Sequence, residues 1–355
     1  MGGRTQAAQR TEIDAVEGLP QAAAPVVHPD REAADVVVVG GGPCGLAAAI
    51  ALGRVGLRAV VLERGCLVSG IYGYPTFMTF FSTAERLAIG GVPFAVATEK
   101  PSRRDALAYY RMVAAHFALD VRQYEAVDAV ERDGERFRVL SRTRAGHDRV
   151  TECAAVVVAT GYFGSPNRLG VPGEDLPHVT HLFREGHIGF GLPAVVVGGG
   201  NSAVDAALDL YRAGARVTIV HFRPGLDPNV KPWVMPDIAA RIKVGSIAAA
   251  FDARVAAIEP DAVVISTPDG ERRVPADLVF PMLGYQPNSA LLHRLGVPID
   301  PASGIPAHDP ATMETAVPGV FMAGVLASGY DANKTFIENG RHHGDLIAAA
   351  LAGRR

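Results

Sequence analysis

The strongest constraint on the fold is a plan that occurs twice: a short apolar strand, a glycine-rich turn and an apolar helix. Residues 35–39 run into Gly40-Gly41-Gly42-Pro43-Cys44-Gly45, and residues 46–52 follow as a helix. Residues 194–197 run into Gly198-Gly199-Gly200-Asn201-Ser202-Ala203, with residues 204–212 as the helix. A further apolar run follows each helix, at 57–62 and 215–220, which makes two βαβ units. Their strands are continuously apolar rather than alternating, as in parallel sheets covered on both faces. The expected fold is therefore α/β, with two Rossmann-like nucleotide-binding domains. The second unit reads as an insertion into the first. Residues 34–170 and 287–355 form one domain and 171–286 the other, with turn-forming crossings at 170–173 and 284–287. Antiparallel strands are expected over 122–149, and buried strands at 156–161 and 320–324. Residues 1–33 are rich in Ala, Pro and Gln, lack the apolar core of a signal peptide, and read as a flexible tail.

Each turn has the chemistry of a dinucleotide site. Gly40, Gly42 and Gly45 satisfy GxGxxG: one permits the tight turn, one lets a pyrophosphate near the backbone, one lets helix and strand close. With Pro43 they open a helix whose free N–H groups suit phosphate. Glu63, ending the next strand, is placed to hold adenosine ribose hydroxyls, the alternative being a solvated carboxylate. Gly198, Gly200 and Ala203, with Asn201 and Ser202, repeat the plan. Here the next strand ends in His221-Phe222-Arg223 with no acid, and a cation there suits the 2′-phosphate of NADPH. Lys231 could assist; both cations are otherwise surface charges. Two sites imply two nucleotides, FAD at the first and NADPH at the second, because a flavin accepts hydride from NADPH.

Composition excludes other classes. Hydrophobic residues are 48%, charged residues 20%, and the formal net charge is -3, with no basic stripe for nucleic acid. No apolar run is long enough to span a membrane. Three scattered cysteines, Cys44, Cys66 and Cys153, fit neither a disulfide scaffold nor a zinc motif, and suit a reducing cytoplasm. His178, His181 and His187 lie near the domain crossing without an acid or cysteine to complete a metal set, so no metal is expected.

Over most of residues 35–351 the chain resembles thioredoxin-reductase-like flavoproteins. Ala159-Thr160-Gly161 resembles the class's second FAD contact, Gly284-Tyr285-Gln286-Pro287-Asn288 its interdomain segment, and Val320-Phe321-Met322-Ala323-Gly324 its C-terminal FAD strand. Val325 follows Gly324 where the class usually has an acid, and the class's paired cysteines are missing. A narrower resemblance fits that lack. Gly-Gly-Gly-Pro-Cys-Gly-Leu (40–46), Tyr-Pro-Thr-Phe-Met-Thr-Phe-Phe-Ser-Thr (74–83), Lys-Pro-Trp (231–233) and Asp-Ala-Asn-Lys-Thr-Phe-Ile-Glu-Asn-Gly (331–340) are similar to the bacillithiol-disulfide reductase family. The resemblance implies FAD, NADPH, a small-molecule disulfide substrate, one cysteine within the glycine motif, and a homo-oligomer.

Cys44 is the cysteine placed to act. At a helix start the macrodipole favours thiolate, which can attack a disulfide; the alternative is that Cys44 fills a small space beside the pyrophosphate. Asn333 and Thr335 lie at an expected helix start that would stabilise charge on a reduced flavin, or serve as ordinary caps. Met78, Phe80 and Phe81 line a pocket or belong to the core, and His342 and His343 supply protons or lie on a surface helix. Three rival functions remain open: a ferredoxin- or flavodoxin-NADP reductase, a flavin monooxygenase, and a non-enzymatic redox sensor.

Overall fold

The computed structural model describes residues 31–331 and 334–354. Two parallel sheets carry the two glycine turns. The first has five strands in the order Val320–Met322, Ala155–Val158, Val36–Val39, Ala59–Glu63 and Asp120–Gln123. Its valines are buried on both sides of the sheet, where β-branched side chains pack well. The helix Pro43–Arg54 covers one face and buries every residue from Gly45 to Leu52. It begins earlier than the apolar pattern implies, because Pro43 already has the backbone geometry of a first helical residue. Its partner is the C-terminal helix His343–Ala352. There Gly344 permits close approach: a Cβ on it would lie 2.6 Å from Ala48 Cα.

The second sheet has the order Ala248–Ala250, Arg216–Val220, Pro193–Val197 and Leu278–Pro281, again parallel throughout. The helix Asn201–Arg212 lies on it. All of these strands fall inside the expected insertion.

Antiparallel strands follow the first sheet, at Glu125–Asp133, Arg136–Thr143 and Asp148–Cys153. Arg31–Ala33, assigned to the tail from sequence, adds a parallel edge strand to this group. Glu32 anchors it through ion pairs with Arg58 and Arg122. A second antiparallel group, Arg254–Glu259, Ala262–Thr267 and Gly270–Pro275, was not expected. Its alternation at Val263 and Ile265 and its Asp269-Gly270 turn are the signals that mark it.

The two connections between the sheets run side by side. Pro166 and Tyr285 form an antiparallel bridge, and Asn167 N–H donates to the Gly284 carbonyl at 3.0 Å. Phe163 stacks on Tyr285 at 4.6 Å between ring centroids. The crossing thus pairs 165–167 with 284–286, slightly before the first turn expected from sequence.

Candidate nucleotide and redox sites

At the first turn Gly40 has φ +113°, and a Cβ on it would run into the Ala159 carbonyl. A Cβ on Gly45 would land on the Gly40 carbonyl oxygen. Gly42 differs: no protein atom lies within 4 Å of the Cβ it lacks. It is the N-cap of Pro43–Arg54, with no capping side chain and no acid in the first turn. The orphan N–H groups of this helix end are therefore left for an external anion, which fits a pyrophosphate. Glu63 is no solvated carboxylate. It is buried and accepts from Gly41 N–H at 2.8 Å, Gly65 N–H at 2.7 Å and the Ser69 hydroxyl at 2.9 Å. A carboxylate has about four acceptor positions, so one remains for a ribose hydroxyl.

Behind the turn, Thr160 donates its hydroxyl to the Asn288 carbonyl at 3.0 Å, and the Gly161 carbonyl accepts from Asn288 N–H at 3.2 Å. These residues tie the sheet to the crossing. Gly324, with φ +78°, and Gly340 close around Cys44. A Cβ on either would lie 3.2 Å and 3.0 Å from its sulfur, respectively. Thr335 borders Gly340 and hydrogen-bonds Ser328 through its hydroxyl. Asn333 lies outside the described residues. The helix expected there is the single turn Ile337–Gly340.

The Cys44 sulfur packs against the core of the first sheet, and burial pushes its thiol up to about 12. Desolvation outweighs the helix end, so the expected resting thiolate is replaced by a thiol at neutral pH. Burial also raises Cys66, and pushes Cys153 up to about 12. His343 is partly buried rather than a surface residue. Its Nδ1 accepts from Gly324 N–H at 3.2 Å, and burial lowers it to about 4, so it is neutral at pH 7. His342 is exposed.

The second turn repeats the geometry with different neighbours. Gly198 has φ +135°, and Ala203 is fully buried where the first turn has Gly45. Asn201 accepts from Lys231 N–H at 2.8 Å and donates to the Asn229 carbonyl at 3.1 Å, fastening loop to turn. Ser202 is exposed on the first helical turn. His221 lies under Gly199 as Glu63 lies under Gly41. Burial lowers its pKa, and neither ring nitrogen has a hydrogen-bond partner. Arg223 pairs with Asp227 at 2.8 Å and lies over Phe222. Arg254, which sequence reasoning missed, lies over the same ring at 5.0 Å.

Lys231 has another engagement. Its ammonium is 2.6 Å from Asp205 and 4.6 Å from the Phe81 ring centroid. Lys231→Met is accordingly expected to change NADP+ affinity by less than about twofold in calorimetric titration, since that is under about 0.5 kcal/mol. A tenfold loss would return Lys231 to the phosphate site.

Phe81 is exposed and contacts Trp233, whereas Phe80 and Met78 pack in a helical core beside the first sheet. Nearby, Thr76 N–H donates to the Arg184 carbonyl at 2.9 Å. Residues 76–81 therefore bridge the two units. His181 is taken by Glu174 at 2.9 Å. Among the described residues no helix is long and apolar enough to cross a membrane.

Against known proteins, the description "Pyridine nucleotide-disulphide oxidoreductase" matches residues 37–324. This chain belongs to the pyridine nucleotide-disulphide oxidoreductase family. It is an oxidoreductase whose cofactors are FAD and NADPH, with a thioredoxin-reductase-like fold. It is similar to a bacilliredoxin reductase Bdr of Bacillus subtilis (strain 168), 44% identical over 90% of this chain and 97% of that protein. A solved bacillithiol disulfide reductase Bdr (YpdA) from Bacillus cereus is 44% identical, covering 91% of this chain and 100% of that one, with TM-score 0.89. A thioredoxin reductase of T. acidophilum, 22% identical, shares the fold over 91% of this chain and 99% of that one, with TM-score 0.67. In this oxidoreductase the open cradle at Gly42 fits the FAD pyrophosphate, and the cations around Phe222 fit an NADPH phosphate.

Proposed function

We propose that this oxidoreductase uses NADPH to reduce the disulfide of a low-molecular-weight thiol, with bacillithiol disulfide as substrate. The observation that carries this reading is similarity to Bdr proteins over 91% of this chain, whose three cysteines are all unpaired. The balanced reaction converts NADPH, one proton and RSSR into NADP+ and two RSH. Residues 34–170 with 287–355 form the proposed FAD domain, and 171–286 the NADPH domain. Gly40, Gly42, Pro43, Gly45 and Glu63 hold FAD, with Thr160, Gly161, Gly324, Asn333 and Thr335 on its flavin side. Gly198, Gly200, Asn201, Ser202, Ala203, His221 and Arg223 serve NADPH. FAD, when bound, takes hydride from NADPH and delivers two electrons. A cytoplasmic homo-oligomer completes the proposal.

Cys44 is the proposed exchange residue. Its sulfur would bond to one half of the substrate while the substrate S–S bond breaks and the other half leaves as thiolate. Burial pushes the resting thiol up to about 12, so the reactive fraction grows about tenfold per pH unit below that value. Disulfide turnover is therefore expected to climb steadily between about pH 6 and about pH 9 without a plateau. Cys44→Ser should keep FAD and NADPH oxidation by oxygen but lose disulfide turnover. A flat profile with turnover retained in that variant would make Cys44 a packing residue. Stopped-flow mixing of NADPH-reduced protein with bacillithiol disulfide, ferredoxin or oxygen tests the substrate. Fast reoxidation by ferredoxin alone would overturn the disulfide reading.

A further inference from the structure

An acid stands at the mouth of the second turn. The Cβ that Gly200 lacks would lie 3.3 Å from Asp227 Oδ2, whereas the matching Gly42 faces nothing within 4 Å. Asp227 is fixed in place: its N–H donates to the Gly199 carbonyl at 2.9 Å. Its Oδ1 is 2.8 Å from Arg223 Nη1 and 3.5 Å from His221 Nε2. The carboxylate thus occupies the cation that would read a 2′-phosphate, and sits beside the turn that would hold a pyrophosphate. Both neighbouring places suit an anion, so a carboxylate there opposes a phosphorylated ligand. On the other side, Phe222 carries two guanidiniums, Arg223 at 5.3 Å and Arg254 at 5.0 Å from its ring centroid. Arg254 makes no ion pair among the described residues. One arginine is neutralised and a second is available on the same aromatic ring.

We propose that Asp227 is an internal counter-ion for the 2′-phosphate pocket, displaced from Arg223 when NADPH binds, with Arg254 joining Arg223 on the phosphate. The proposal rests on NADPH occupying the second turn. A 2′-phosphate brings about two negative charges and can exchange for one carboxylate. The 2′-hydroxyl of NADH cannot, and needs no such exchange. Asp227 therefore weakens NADPH binding selectively and narrows its advantage over NADH.

The test is equilibrium titration of the full-length, FAD-loaded protein with NADP+, NAD+ and 2′,5′-ADP. Asp227→Asn is expected to tighten NADP+ and 2′,5′-ADP about five- to tenfold and to leave NAD+ within about twofold. Arg254→Gln should weaken NADP+ about tenfold without affecting NAD+. Arg223→Gln, measured alongside, must lose NADP+ affinity if the phosphate lies where the proposal puts it. If Arg223→Gln loses affinity and Asp227→Asn gains none, the counter-ion role is refuted while the NADPH site stands. Equal gains for NAD+ and NADP+ in Asp227→Asn also refute it. If Arg223→Gln retains full affinity, the phosphate site and the counter-ion fall together.

Discussion

Gly45→Ala is expected to yield protein that purifies without FAD, while Ala203→Gly, the reverse change at the matching position, leaves NADP+ binding within about twofold. The two turns differ in how closely helix meets strand. At Gly45 an added Cβ lands on the Gly40 carbonyl oxygen, with Gly40 C at 3.2 Å and Ala159 Cβ at 3.4 Å. Gly40 cannot give way, because its N–H is held by the Leu62 carbonyl at 2.8 Å and its other side abuts Ala159. The helix Pro43–Arg54 must then move off the sheet, taking eight buried residues and the phosphate-binding end with it. Overpacking of this kind costs about 1–3 kcal/mol of stability. The loss of FAD should be larger, because the cradle itself is displaced. The absorbance ratio at about 450 and 280 nm reads the outcome, with a fall of at least about tenfold expected. At Ala203 the Cβ already fits, fully buried and 3.3 Å from the Cβ position of Gly198. Removing it costs about 1 kcal/mol of helix propensity. Normal flavin content in Gly45→Ala would show that the turn has slack that its backbone contacts deny.

Glu63→Gln is expected to weaken FAD about 100-fold, equivalent to about 2.7 kcal/mol, although the two side chains have the same shape. One carboxylate oxygen serves Gly41 N–H, and the other serves Gly65 N–H and the Ser69 hydroxyl. Gln must point its NH2 at one of these donors whichever way it is turned. The result is a buried N–H facing another N–H, and a loop pushed away from the ribose. Flavin release on dilution, followed by fluorescence, measures the change. Retention of FAD at wild-type affinity would mean that Glu63 shapes nothing the cofactor touches.

Much of this arrangement is legible in the sequence because glycine turns and unbroken valine runs are local signals. Val36–Val39 and Pro193–Val197 announce buried parallel strands without help from the rest of the chain. What stays hidden depends on tertiary neighbours. Arg31–Ala33 has no strand pattern and is held by ion pairs of Glu32. Cys44 has a helix-start address that favours thiolate, but its burial comes from Gly324 and Gly340, far along the chain. Lys231 looks like a free cation in the sequence, and only the fold brings Asp205 and Phe81 beside it. Arg254 reaches the proposed phosphate site only because an unforeseen antiparallel strand delivers it to Phe222. Asp227 was visible throughout, four positions after Arg223, but nothing in that spacing distinguishes a counter-ion from a solvated acid.

The paired crossing at Pro166 and Tyr285 also bears on how the chain is made. Every strand of the second sheet lies between those two residues, so that sheet can close as soon as Leu278–Pro281 has been synthesised. The first sheet cannot. Its strand Ala155–Val158 keeps one bare edge until Val320–Met322 emerges from the ribosome. Such edges invite mispairing, and domains fold as units in the order they appear. Closing the inserted sheet brings its two ends together and shortens the loop that Val320–Met322 must span to reach Ala155–Val158. Early closure of the inserted unit thus lowers the entropic cost of completing the host sheet.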